Sequence, residues 1–331
     1  MLGKRSPDDA SGRRFAAATS LDSRALSVAR GIVRVAAAGV VAVGIATPLV
    51  RRRLELRPRQ VALLTWPAPV ALTFVFPRTR LRDAAVYALQ MWAYTTMYQM
   101  PNDDPDRLRE RLRVDYPIQV DRAIGMGELP TVRLQRRLAR VDDVRKLDVA
   151  LSLVHWAWFF MPHASLAYVL IRHPEQFERS AARVAAVFDV GLVGYWAVPT
   201  APPWWAGNNG NAPRIRRIMV EVGERIWGRA WRRLYDSIGA NPFAAMPSLH
   251  FATSAMAAFV LQDVGRAPGL FGWAYTGVLG FGLLYLGEHY VIDLIAGGAL
   301  MYLIRRLIPA AAPPTGAMSR ALSRLSPQGA G

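Results

Sequence analysis

The chain has 331 residues, 52% of them hydrophobic, and a formal charge of +17, with a mean hydropathy of +0.14. Arginines that flank apolar segments instead of forming one stripe argue against a nucleic-acid binder; a membrane protein whose basic loops face anionic lipid reconciles charge with hydropathy. Cysteine is absent, which removes disulfides and thiolate metal sites.

In chain order, residues 1–30 read as a disordered basic tail and residues 31–83 as additional membrane helices. The apolar run Ile32 to Val50 ends in Arg51–Arg53 with no small-residue cleavage site, so it reads as a retained anchor. Val61–Phe76 follows and carries Pro67 and Pro69, so it reads as kinked or partly re-entrant. Residues 84–308 form the main domain, with apolar stretches at Ala84–Met100, Val149–Ile171, Val184–Val198, Leu249–Leu261, Leu270–Leu286 and Val291–Ile308. Residues 309–331 are an Ala/Pro/Ser-rich tail, read as disordered.

The expected fold is therefore all-α, a polytopic bundle of six to eight transmembrane helices. Amphipathic helices around Arg107–Val114, Val132–Leu147 and Arg214–Ile238 read either as lying in the membrane interface or as a solvated basic surface. The expected location is the cell membrane, with multiple passes. Arg305, Arg306, Arg320 and Arg324 favour a cytoplasmic C-terminus and an extracytoplasmic site, whereas Arg51–Arg53 and the arginines of Pro101–Leu147 oppose it.

Two strings carry the chemistry: Met246-Pro-Ser-Leu-His250 and Gly287-Glu-His289-Tyr-Val-Ile-Asp293, each at the start of an apolar stretch. The spacing of His289 and Asp293 puts both side chains on one helix face, with Cβ atoms roughly 5–6 Å apart. A carboxylate there holds an imidazole in one tautomer and stabilises its cation. An even number of crossings between the strings returns His250 to the same surface. The pattern points to phosphoryl transfer through a histidine nucleophile with a second histidine as proton donor. A two-His-one-carboxylate metal site and a buried structural pair are the alternatives.

Other residues are less specific. His155 and His163 read as core packing or cavity lining, and Asn102–Asp106 as turn and capping residues. Asp189 sits in an apolar helix, where a carboxylate is costly and often functional.

These strings resemble the type 2 phosphatidic acid phosphatase superfamily, and more closely the branch of inositol phosphorylceramide synthase and its bacterial relatives. That branch has Pro-Ser-Leu-His where the wider superfamily has Pro-Ser-Gly-His. Pro199-Thr-Ala-Pro-Pro-Trp204, Asp121-Arg-Ala-Ile-Gly125, Leu129-Pro-Thr131 and Leu134-Gln135 resemble further strings of it. The resemblance implies a phosphatase or phosphotransferase acting on a phospholipid or polyprenyl-phosphate-type lipid, with no cofactor and no metal. His289 would be the nucleophile, Asp293 its orienting carboxylate and His250 the general acid and base. Ser248, at a helix N-terminus, would bind phosphoryl oxygens with its backbone neighbours. Pro202 and Trp204 would lie on the substrate side, with interfacial anchoring the alternative for Trp204 and Trp205.

The superfamily's phosphate-binding basic residues are missing, since Gly194–Pro203 and Phe281–Glu288 contain none. Arg214, Arg216 and Arg217 are the first candidates to replace them, and Arg122 is another. A non-catalytic scaffold, or a lipid-binding or transport protein that kept the fold, is the competing class.

Overall fold

The computed structural model describes residues 8–140, 143–238 and 241–323, and everything regular in them is α-helical apart from short 3-10 and bridge segments. The chain divides into two compact units, residues 1–93 with 314–331, and residues 94–313.

The first unit contains α1 (Asp8–Val50), α2 (Pro58–Thr65), α3 (Pro67–Val75) and most of α4 (Arg80–Gln99). Pro67 splits the Val61–Phe76 stretch into two short helices, because its ring cannot sit in a helix interior. Ala68, Leu72 and Leu89 form a small core with Val41, Ala85 and Val86 against it. Helix α1 includes residues 8–30, the stretch whose composition suggested a tail.

The second unit continues with α5 (Pro105–Glu110), α6 (Asp115–Ile124), α7 (Pro130–Leu138), α8 (Lys146–Ala157), α9 (Met161–Arg172) and α10 (Pro174–Ala197). It closes with α11 (Pro203–Asn208), α12 (Ile218–Trp227), α13 (Arg229–Ile238), α14 (Leu249–Val264), α15 (Arg266–Tyr285) and α16 (Val291–Ser323).

The expectation of six to eight spanning helices is overturned. Among the described residues, two helical stretches have the length and apolarity to cross a membrane, Ser27–Val50 and Arg266–Tyr285. The stretch Val149–Ile171 breaks at Trp158–Phe160 into α8 and α9, of 12 residues each. At 1.5 Å per residue each is about 18 Å long, against a hydrocarbon core of about 30 Å. Helix α14 has 16 residues. Helices α4 and α10 extend beyond the apolar stretches Ala84–Met100 and Val184–Val198 and carry Arg82 and Asp83, and Glu178, Arg179 and Arg183, in their N-terminal turns. The multi-pass placement in the cell membrane falls with the helix count, as does the extracytoplasmic site deduced from it.

A different geometry brings the two strings together. Helices α14 and α15 run antiparallel in close contact, because glycines face the partner. A Cβ on Gly269 would lie 2.7 Å from the Cα of Gln262, and one on Gly272 2.7 Å from that of Ala258. Helix α16 then returns alongside α14 with its N-terminus at the same end. Gly297 permits this, since a Cβ there would sit 2.5 Å from the Ser248 carbonyl oxygen. His250 and His289 both lie at that shared end.

Candidate active site

Ser248 caps α14, its Oγ accepting the Phe251 N–H at 3.3 Å. Its own N–H donates to the Asp293 carbonyl at 3.0 Å, tying the first string to the second. The Leu249 N–H donates to the Tyr195 hydroxyl at 3.4 Å. Two of the N–H groups expected to face phosphoryl oxygens are therefore already engaged. Ser248 is fully buried and acts as the cap that aims His250.

The turn before α16 is held from three sides. Gly287 has φ +84°, a left-handed conformation that only glycine adopts without strain, and a Cβ there would approach the Arg216 carbonyl to 2.6 Å. Gln135 of α7 accepts the Arg216 N–H and donates to the carbonyls of Arg216 and Tyr285, each at 2.9 Å. The Trp204 N–H donates to the Gly287 carbonyl at 3.1 Å. Pro202, buried, is the N-cap residue of α11 and so places that N–H.

The first turn of α16 has a cap remote in sequence. The fully buried Asp121 carboxylate accepts the N–H groups of Val291 and Ile292 at 2.9 and 3.0 Å. Asp121→Ala would leave both donors buried and unpaired. We expect it to lower stability by about 1–3 kcal/mol, read as a shift in the denaturation midpoint.

Within this frame three side chains form a series. The His289 Nδ1–H donates to Asp293 Oδ2 at 3.2 Å, and the same oxygen accepts the Tyr290 N–H at 2.9 Å. That tautomer leaves Nε2 of His289 as an acceptor, and His250 Nδ1 lies 3.1 Å from it. His289 is 3% exposed and Asp293 0%. His289 presents one nitrogen to each neighbour, so the three do not converge on one point as a metal site requires. No metal-type cluster of acidic and histidine residues occurs among the described residues.

His250 is held between two rings of the α8 C-terminal end. His155 stacks on it at 4.9 Å with 28° between planes, and Trp158 lies 4.2 Å away, fixed by its indole N–H to Thr253. Burial pushes the His250 pKa well below 6.5, and His155 and His289 add to the effect. Burial likewise lowers His155, to about 4. Both rings are therefore neutral near pH 7. Burial raises the Asp293 pKa, and the bonds from His289 and Tyr290 offset only part of that rise.

The three candidate arginines separate. Arg216 is committed elsewhere, paired with Glu221 and donating to the Arg140 carbonyl. Arg214 is exposed, as is Arg122. Arg217 reaches the site: it pairs with Glu288 at 2.9 and 3.2 Å and lies 4.0 Å over the Trp204 ring. Trp204 is thus a shelf for this arginine, which neither the stacking nor the anchoring reading anticipated. Burial opposes ionisation of Glu288, but the charge and hydrogen bonds of Arg217 hold its pKa below 4.5.

Asp121, Glu288 and His155 were not among the expected site residues. Asp121 and Glu288 lay inside quoted strings, and His155 shares a helix face with Trp158 at i,i+3 spacing. His163 stacks on Phe188 instead. Asp104 caps α5 by accepting the Arg107 N–H, as a capping role requires.

A family model described as the PAP2 superfamily matches residues 121–307, more than half of the chain. The chain is similar to a phosphoinositol dihydroceramide synthase of Bacteroides thetaiotaomicron, 30% identical over 165 residues, or 45% of this chain and 52% of the relative. It thus spans about half the length of that curated relative. No solved structure matches it significantly.

Proposed function

The chain belongs to the PAP2 superfamily, the type 2 lipid phosphatases, and on that footing we propose that it cleaves a lipid phosphoester through a phosphohistidine on His289. The observation that carries this reading is the hydrogen-bonded series from Asp293 through His289 to His250. Asp293 holds the proton on Nδ1, which points the lone pair of Nε2 at the reacting phosphorus. The phosphoryl group enters between the two imidazoles. As the N–P bond forms and the ester P–O bond breaks, a protonated His250 gives its proton to the departing oxygen. In the second step a hydroxyl attacks the phosphohistidine and returns its proton to His250. Water as attacker makes the enzyme a phosphatase, and a lipid hydroxyl makes it a phosphotransferase.

Transfer is favoured by charge. Arg217 is already neutralised by Glu288, which suits a monoanionic diester better than a dianionic monoester. The name of the Bacteroides relative points the same way. Assays on phosphatidic acid, a polyprenyl phosphate and phosphatidylinositol, the last with and without a ceramide acceptor, test the reading. Turnover of any of these that is lost in His250→Asn supports it. A protein that binds the lipids and turns over none of them is the scaffold of the competing class.

The general-acid role has a thermodynamic signature. His250 is neutral in the free protein because burial lowers its pKa. A phosphoryl anion beside it raises that pKa, so binding at pH 7 takes up protons. Calorimetry of inorganic phosphate binding, in buffers of different ionisation enthalpy, should show net uptake in wild type and less in His250→Asn. Equal uptake in both proteins would remove His250 from the proton path.

A further inference from the structure

His155 is placed where a packing role does not explain it. It is 4% exposed, and neither ring nitrogen has a hydrogen-bond partner among the described residues. Buried imidazoles ordinarily satisfy at least one nitrogen, and an apolar ring would stack on His250 without that penalty. Its ring lies against that of His250, and the charges that bear on it are those of Glu288, His289 and Arg217. It therefore lies against one of the two reacting imidazoles and within the electrostatic reach of the other and of the Arg217–Glu288 ion pair. Two unsatisfied ring nitrogens are thus held next to the imidazoles between which a phosphoryl group would enter.

We propose that His155 is a third active-site histidine that touches the substrate, donating one ring N–H to a non-bridging oxygen of the phosphoryl group. The inference rests on the phosphohistidine reading for the position of that group. Its chemistry differs from that of the two reacting histidines. His155 transfers no proton and forms no bond to phosphorus; it supplies a neutral donor at a site whose arginine, Arg217, is already paired with Glu288. A neutral donor stabilises the extra charge on the equatorial oxygens of the transition state without adding a cation beside His250, which has to become protonated there.

Three substitutions separate contact from packing. His155→Phe keeps the stacked ring and removes the donor; His155→Asn keeps a donor and removes the ring; His155→Ala removes both. The readout is binding of orthovanadate, a mimic of five-coordinate phosphorus, to the full chain, together with melting temperature. His155→Phe is expected to fold and to bind vanadate about ten- to a hundredfold more weakly than wild type, with His155→Asn between them. Wild-type vanadate affinity in a folded His155→Phe would overturn the proposal. If His155→Phe does not fold, the asparagine and alanine variants decide: equal affinities overturn the contact, and tighter binding by asparagine supports it. Covalent labelling of wild type with substrate phosphate tests the underlying reading separately. Vanadate affinity that depends on His155 without any labelling would retain the contact and reject the covalent intermediate. Absence of vanadate binding to wild type would overturn both.

Discussion

His289→Ala is expected to abolish covalent capture of phosphate and to lower turnover by about four to six orders of magnitude. The effect is large because no other group can take over. His250, the nearest nitrogen base, is clamped between His155 and Trp158 with its Nδ1 directed at His289. Asp293 is fully buried behind His289 and cannot reach the space in front of it. Rapid quenching with labelled lipid, followed by digestion, should place acid-labile, base-stable phosphate on the peptide that contains His289. Label of equal intensity on the alanine variant would show that the nucleophile is another residue. The substitution removes a ring from a packed site, so circular dichroism should accompany the assay to show that the helices persist.

Asp293→Asn should separate activity from stability. Turnover is expected to fall by about two to four orders of magnitude, because an amide donates a proton where Oδ2 accepts one. The His289 ring then turns or changes tautomer, and its lone pair no longer faces the phosphorus. Stability should move the other way. The pKa of Asp293 is raised on folding, burial being the main cause. A carboxyl group with a raised folded pKa weakens the native state as pH rises through the interval above its unfolded value of 3.8. At neutral pH the ionised Asp293 is therefore a net cost to the fold, which asparagine relieves in part. The expected result is a melting temperature equal to or above that of wild type in a nearly inactive protein. A sharp loss of both would mean that Asp293 serves mainly to hold α16 in place.

The juxtaposition of His250, His289 and Asp293 was more legible in the amino-acid sequence than the architecture around it. His289 and Asp293 are joined by helical spacing, which needs no tertiary information. His250 was expected on the same surface because α14 leads away and α15 returns, and Gly269, Gly272 and Gly297 let the three helices pack closely enough for the strings to meet. Apolar run length misled because it ignores where helices break. The prolines of Val61–Phe76 did signal its split into two short helices, whereas nothing local marked the interruption at Trp158–Phe160 that turned one expected span into two.

The arginines could not be sorted by position alone. Arg216 and Arg217 are adjacent, yet Glu221 engages the first and Glu288 the second. Asp121, Gln135 and His155 carry no local signal for their roles: the first two bond partners 81 to 171 residues away, and the third stacks on a ring across the core. Membership in recurrent strings marked the first two, and His155 was marked only as core packing or cavity lining.

That separation has a consequence in time. The turn that presents His289 is braced by Asp121 across 170 residues and by Gln135 across 150. Closing loops of that length is slow compared with forming the α14–α15 hairpin, whose partners are neighbours in the chain. During folding, the helices that bear the histidines can form and pair while the turn between α15 and α16 still lacks its braces. Competence to react is then the last property the chain acquires, and it arrives when α6 and α7 dock.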